Sequence, residues 1–291
     1  MASGPELITV PSLARRILLP LWRVILPLYL FVIKFTRRLD PGSVTFRDTS
    51  DRERIASGLF NANPRLAVML ALGASNIANE GDPNGKFIPD GGVYNFNFFD
   101  GYCYVAKDPL LGATRDRSNL LTRLGNLLVR RGFYDRVLLV PIAYGGTFAA
   151  EWAPQGRMHP RLQRALMMLA RCRITPTHVL WQEGEAEAAE SEVDPKTWIA
   201  HFNAVADTIR AASRDTTIYV AQCTICRNAP NPLVRAAQRI VVDPSRRIFA
   251  GPDLDVIGIE DRWDKCHFST TGLDRAAELW LTAITEARPA S

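Results

Sequence analysis

The chain has 291 residues, 47% hydrophobic and 22% charged, with a formal net charge of +5. That length and composition suit one large α/β domain and exclude a disordered or fibrous chain. The excess charge is local: residues 1–58 hold nine basic and five acidic side chains, leaving 26 basic against 25 acidic beyond, and such a near-neutral body argues against a nucleic-acid partner.

The first element is an apolar run from Ile17 to Ile33, interrupted by Arg23, with Arg15 and Arg16 before it and Lys34, Arg37 and Arg38 after it. As a helix it reaches about 26 Å, slightly short of the roughly 30 Å hydrocarbon core, and an Arg at its centre costs about 2.5–3.5 kcal/mol on insertion. Residues 1–39 therefore read as a hydrophobic, membrane-associating segment, an uncleaved anchor or an interfacial helix, with a helix packed on the domain as the alternative. The basic excess after the run points the following domain toward the cytoplasm. Residues 40–66 read as linker and domain entry, and 67–291 as the functional domain.

Within that domain strands and helices alternate. Arg65–Gly73, Arg136–Tyr144, Thr177–Gln182 and Thr216–Gln222 are short apolar runs of strand character. Between them Asn119–Arg131, Pro160–Cys172 and Pro195–Ala212 carry helical spacing, and Thr271–Glu286 closes the chain as a last helix. This rhythm predicts a parallel sheet covered on both faces, whose ligands gather at the carboxyl ends of the strands. Gly91 to Tyr104, dense in glycine, asparagine and aromatic residues, reads as a hairpin or a structured loop over the site, its aromatics either core or a surface for sugar rings.

Five cysteines, Cys103, Cys172, Cys223, Cys226 and Cys266, show no paired zinc spacing. Cys223-Thr-Ile-Cys226 reads as two half-buried thiols at a strand end, with a redox pair or a disulfide left open. His159, His178 and His201 have no partner pattern and read as structural or solvated, while Trp152 and Trp181 read as core.

Two segments carry chemistry. Leu70-Ala-Leu-Gly-Ala-Ser-Asn-Ile77 presents Ser75 at the end of a strand, and Asp264-Lys-Cys-His267 offers a base and an acid three residues apart. A serine hydroxyl becomes a nucleophile when an imidazole takes its proton and a carboxylate holds that imidazole's tautomer, so ester hydrolysis is the first expectation. No Gly-x-Ser-x-Gly elbow occurs, which argues against the usual α/β-hydrolase arrangement.

Gly73-Ala-Ser-Asn76 resembles the first block of the SGNH hydrolases, especially the sialate O-acetylesterase-like carbohydrate esterases. Pro141-Ile-Ala-Tyr-Gly-Gly-Thr-Phe-Ala-Ala-Glu-Trp152, Leu180-Trp-Gln-Glu-Gly-Glu185 and Asp264-Lys-Cys-His267 are similar to its later blocks in the same order, and Asp108-Pro-Leu110 to a further short one. The resemblance implies a three-layer α/β/α flavodoxin-like sandwich that removes acyl groups, above all acetyl, from carbohydrate hydroxyls without metal or cofactor. It implies Ser75 as nucleophile, His267 as general base and then acid, Asp264 as its orienter, and the backbone N–H groups of Ser75 and Gly146 as oxyanion donors, with Gly145 the alternative by one residue. Asn76, Gln182 and Glu185 are expected to support the site or contact substrate, Glu185 by bracing the strand end. Glu183 stands where the family has a glutamine donor, and an ionised carboxylate would repel an oxyanion. Either Glu183 is protonated, or it points away and Gln182 or another group donates, or the domain is a weak or inactive relative. The competing readings are an acyltransferase or lipid esterase on this fold, or an impaired carbohydrate-binding relative.

Overall fold

Both faces of the run after Arg65 are apolar, and the protein buries both. The computed structural model describes residues 45–60, 65–190, 193–227 and 229–286, all within the unit Ser43–Ser291. The described strands are β1 (Arg54–Ile55), β2 (Leu66–Gly73), β3 (Val93–Asn97), β4 (Tyr102–Val105), β5 (Arg136–Pro141), β6 (His178–Gln182), β7 (Thr217–Gln222) and β8 (Ile248–Asp253). They form one sheet in the order β1-β4-β3-β5-β2-β6-β7-β8.

The run β3-β5-β2-β6-β7-β8 is parallel, as the alternating pattern predicts, while β4 lies antiparallel to both β3 and β1. The reversal has a local cause: a parallel return needs a crossover of about a dozen residues or more, whereas β3 and β4 are joined by the short turn 98–101. The aromatic segment is thus a sheet hairpin, with Phe96 and Phe98 fully buried in the core.

The described helices are α1 (Leu120–Arg130), α2 (Ala149–Trp152), α3 (His159–Arg171), α4 (Glu185–Ala188), α5 (Pro195–Ala212), α6 (Pro232–Ile240) and α7 (Thr270–Glu286). Alternation along β2 sorts them into layers. Val68, Leu70 and Leu72 pack with Leu162 and Leu169 of α3 and Phe202 and Ile209 of α5. Ala67, Met69 and Ala71 pack on the other face with Leu121 and Leu124 of α1 and Ala277 and Trp280 of α7. Side-chain caps set three helix starts: Asn119 accepts from the Leu121 N–H, Asp194 from Lys196 and Thr197, and Asn231 from Leu233 and Val234. The sequence pattern passes over β8 and α6. Gly251 and Pro252 interrupt the strand signal in β8, and α6 has only nine residues.

Taken alone in chain order, β2, β5, β6, β7 and β8 lie in the spatial order 2-1-3-4-5, the flavodoxin-like arrangement. Its switch point falls between β2 and β6, whose carboxyl ends lead into Ser75 and Glu183. The apolar run 17–33 lies outside the described residues; among those described, no helix is long and apolar enough to cross a membrane.

Candidate active site

Ser75 is delivered by a close contact between two strand ends. Gly73 ends β2 at φ +131°, and a Cβ there would sit 2.0 Å from the Gln182 carbonyl oxygen of β6, so a side chain would force the strands apart. The Ala74 N–H donates to the same carbonyl at 2.9 Å. The chain then makes one 3₁₀ turn over Ser75–Ile77. Ser75 is 8% exposed, and among the described residues its hydroxyl makes no hydrogen bond.

Asp264 and His267 meet across the turn before α7. Lys265 takes the left-handed conformation, φ +68°, which curls the chain back. Asp264 Oδ1 accepts the backbone N–H groups of His267 at 2.7 Å and Cys266 at 3.0 Å, leaving Oδ2 to His267 Nδ1 at 2.8 Å. Partial burial works against the charge, but the hydrogen bonds from the His267 backbone and ring outweigh it and hold the Asp264 carboxyl below its usual range. An acceptor at Nδ1 fixes the tautomer with a free Nε2 lone pair, as proton abstraction requires.

Asn76 joins two segments far apart in the chain. Its Nδ2 donates to the Cys266 carbonyl and to Glu185 Oε1, both at 3.2 Å, and its Oδ1 accepts the Phe268 N–H at 3.3 Å. The backbone on either side of His267 is therefore gripped by the residue next to Ser75. Glu185 reaches this asparagine side chain rather than strand backbone, and burial raises its carboxyl pKa. Ser75 and His267 share no hydrogen bond among the described residues.

A disulfide adds a covalent tie. Cys226 pairs with Cys266, not with Cys223, which is a buried free thiol. The pairing links the loop after β7 to the residue beside His267. No spacing rule shows it, because the partners lie 40 residues apart. The chain-entropy model gives such a crosslink about 3–4 kcal/mol. Cys226→Ser is expected to lower the denaturant midpoint accordingly and to reduce turnover by loosening the His267 turn, with dithiothreitol reproducing both effects in the parent protein.

The loop after β5 faces the same region. The Gly145 N–H is already engaged by Thr114 Oγ1 at 3.0 Å, whereas those of Gly146 and Ser75 donate to nothing among the described residues. Gln182 turns to the α7 face, where its Oε1 accepts from Trp280 Nε1 at 3.3 Å and its buried Nε2 has no partner among the described residues. Glu183 is fully buried, and its Oε2 accepts from Thr147 Oγ1 at 2.8 Å and Trp152 Nε1 at 3.2 Å. Burial, with Glu187 nearby, pushes its carboxyl well above the usual range. His159 Nδ1 bonds the Trp152 carbonyl, and His178 lies between Thr177 and Tyr134. Among the described residues no cluster could hold a metal ion.

Glu80, which sequence reasoning passed over, also lies here. Its Oε2 is 3.5 Å from His267 Nε2, and its Oε1 accepts from Thr114 Oγ1 at 3.1 Å. Its only signal in the sequence is a charged residue five places after Ser75.

A sheet of this order, with a serine after its β2 strand and an Asp-His turn before its last helix, defines a three-layer α/β/α hydrolase of the SGNH type. A family model described as carbohydrate esterase, sialic acid-specific acetylesterase, matches residues 104–285, and the chain belongs to that family. It is a carboxylic ester hydrolase. The matched span holds the second, third and fourth blocks; Ser75 precedes it. No curated protein matches the chain by sequence. Among solved structures, a protein from Arabidopsis thaliana is 18% identical, covering 77% of this chain and 98% of its own, with a TM-score of 0.61. NanS is 14% identical over 76% of this chain and 97% of its own, with a TM-score of 0.56. A carbohydrate acetylesterase from Xanthomonas citri is 15% identical over 76% of this chain and 56% of its own, with a TM-score of 0.52. At these identities the likeness is one of fold.

Proposed function

We propose that the chain is a serine esterase that removes acetyl groups from carbohydrate hydroxyls through an acyl-enzyme. What supports this reading is the Asn76 clamp: the residue beside Ser75 hydrogen-bonds the backbone on either side of His267, although the two segments lie about 190 residues apart. In the proposed course, Ser75 Oγ attacks the ester carbonyl as its proton passes to His267 Nε2. Asp264 stabilises the imidazolium, and the N–H groups of Ser75 and Gly146 receive the oxyanion. His267 then protonates the leaving sugar oxygen and activates the water that releases acetate.

Glu183 enters this course as a neutral carboxylic acid rather than a repelling charge. Its folded-state pKa lies above its unfolded value, so once pH rises past the ordinary carboxylate range the unfolded chain releases a proton that the folded chain keeps, and folding weakens. Glu183→Gln removes this dependence. The variant is expected to gain thermal stability over the parent at pH 8 relative to pH 5, and to lose far less turnover than the about 10²–10³ that follows loss of an oxyanion donor. A stability difference independent of pH would contradict a neutral Glu183.

The reading itself is tested by acetate release from O-acetylated sugars with the purified protein. Release is expected; turnover of long-chain lipid esters with no acetate released from any sugar would replace the substrate class.

A further inference from the structure

Glu80 occupies a place that has to be built for it. It is 6% exposed, and its Oε1 lies where a Cβ on residue 145 would stand, 2.0 Å from that atom, so the carboxyl reaches this position because residue 145 is glycine. Thr114 fixes that oxygen with its hydroxyl while accepting the Gly145 N–H, which ties Glu80 to the loop that presents Gly146. The other oxygen faces His267 Nε2, the edge of the ring opposite Asp264. The Glu80 carbonyl accepts from Trp263 Nε1, and the Trp263 ring stacks on the imidazole with centroids 6.2 Å apart.

We propose that Glu80 is a positioning residue for the reaction assigned above: its carboxylate holds the Nε2 edge of His267 from the side opposite Asp264 and favours the imidazolium that forms when Ser75 gives up its proton. The inference rests on that reading of Ser75 and His267. A carboxylate at 3.5 Å is too far for a strong hydrogen bond and near enough for a direct charge interaction, which leaves Nε2 available to the serine proton. The charged groups around the pair are Asp264 on the same turn, Arg262 just before it, Arg227 at 3.6 Å from Asp264, Arg115 at 3.9 Å from Glu80, and Arg117 over the Trp263 ring. Burial raises the Glu80 carboxyl pKa, while His267 and Arg115 oppose that rise.

The test is the pH profile of kcat/KM for p-nitrophenyl acetate in the parent, Glu80→Gln and Glu80→Asp. Glu80→Gln keeps the size and the Thr114 contact but removes the charge. Its acid limb is expected to move down by about one pH unit, which is about tenfold more relative rate at a fixed pH on that limb, with a several-fold lower plateau. Glu80→Asp, whose charge sits further back, should fall between the two. A Glu80→Gln acid limb superposing on that of the parent would overturn the role given to Glu80. Should Glu80→Gln fail to fold, Arg115→Gln at the rim takes its place: loss of that cation should move the acid limb upward, and an unmoved limb counts against Glu80. An unimpaired Ser75→Ala would instead overturn the serine reading, so the two failures are distinct.

Discussion

Ser75→Ala is expected to lower kcat for ester hydrolysis by at least about 10⁴ while leaving the thermal midpoint almost unchanged. The kinetic part follows from the proposed course, in which no acyl-enzyme forms without this oxygen and only oxyanion donors and substrate binding remain. The stability part follows from the structure, where the serine hydroxyl makes no hydrogen bond among the described residues. Removing a buried hydroxyl that has no partner strands no other polar group, so the usual penalty for an orphaned donor or acceptor does not arise. Turnover and melting temperature measured on the same preparation check both parts. A fall of less than tenfold would mean that the nucleophile lies elsewhere.

Asp264→Asn should cost about 10⁴ in kcat, for a different reason. Oδ1 accepts two backbone N–H groups at 2.7 and 3.0 Å, so an asparagine must place its oxygen there and turn its amide NH₂ toward His267 Nδ1. Nδ1 then becomes the acceptor, the ring proton moves to Nε2, and the imidazole can no longer take the serine proton. The turn itself survives because both backbone donors keep their acceptor, so the thermal midpoint should drop only modestly. Turnover within tenfold of the parent would show that the tautomer of His267 is set by another group.

The sequence carried much of this in periodic form. Alternation in β2 and the helical spacing from Pro195 to Ala212 are local, and the structure reproduces both with shifts of a residue or less at their ends. The hairpin around β3 and β4 was legible as alternation, but its place inside the sheet was not, because pairing partners are chosen by the faces that neighbouring elements leave to be covered. The four ordered blocks indicated an Asp-His pair, and the structure shows its 2.8 Å contact. Glu80 and Cys226 were not legible as neighbours of that histidine, since neither has a periodic or spaced relation to it in the chain.

What the amino-acid order determined by itself is the alternation of strand and helix and the nearness of Asp264 to His267. Both depend on residues a few positions apart, where covalent geometry limits the choices. What only the tertiary structure decided is the meeting of residue 76 with residues 266 and 268, the bond between Cys226 and Cys266, and the seat of Glu80 over Gly145. Those contacts join loops far apart in the chain, which the parallel sheet brings together at the carboxyl ends of its strands.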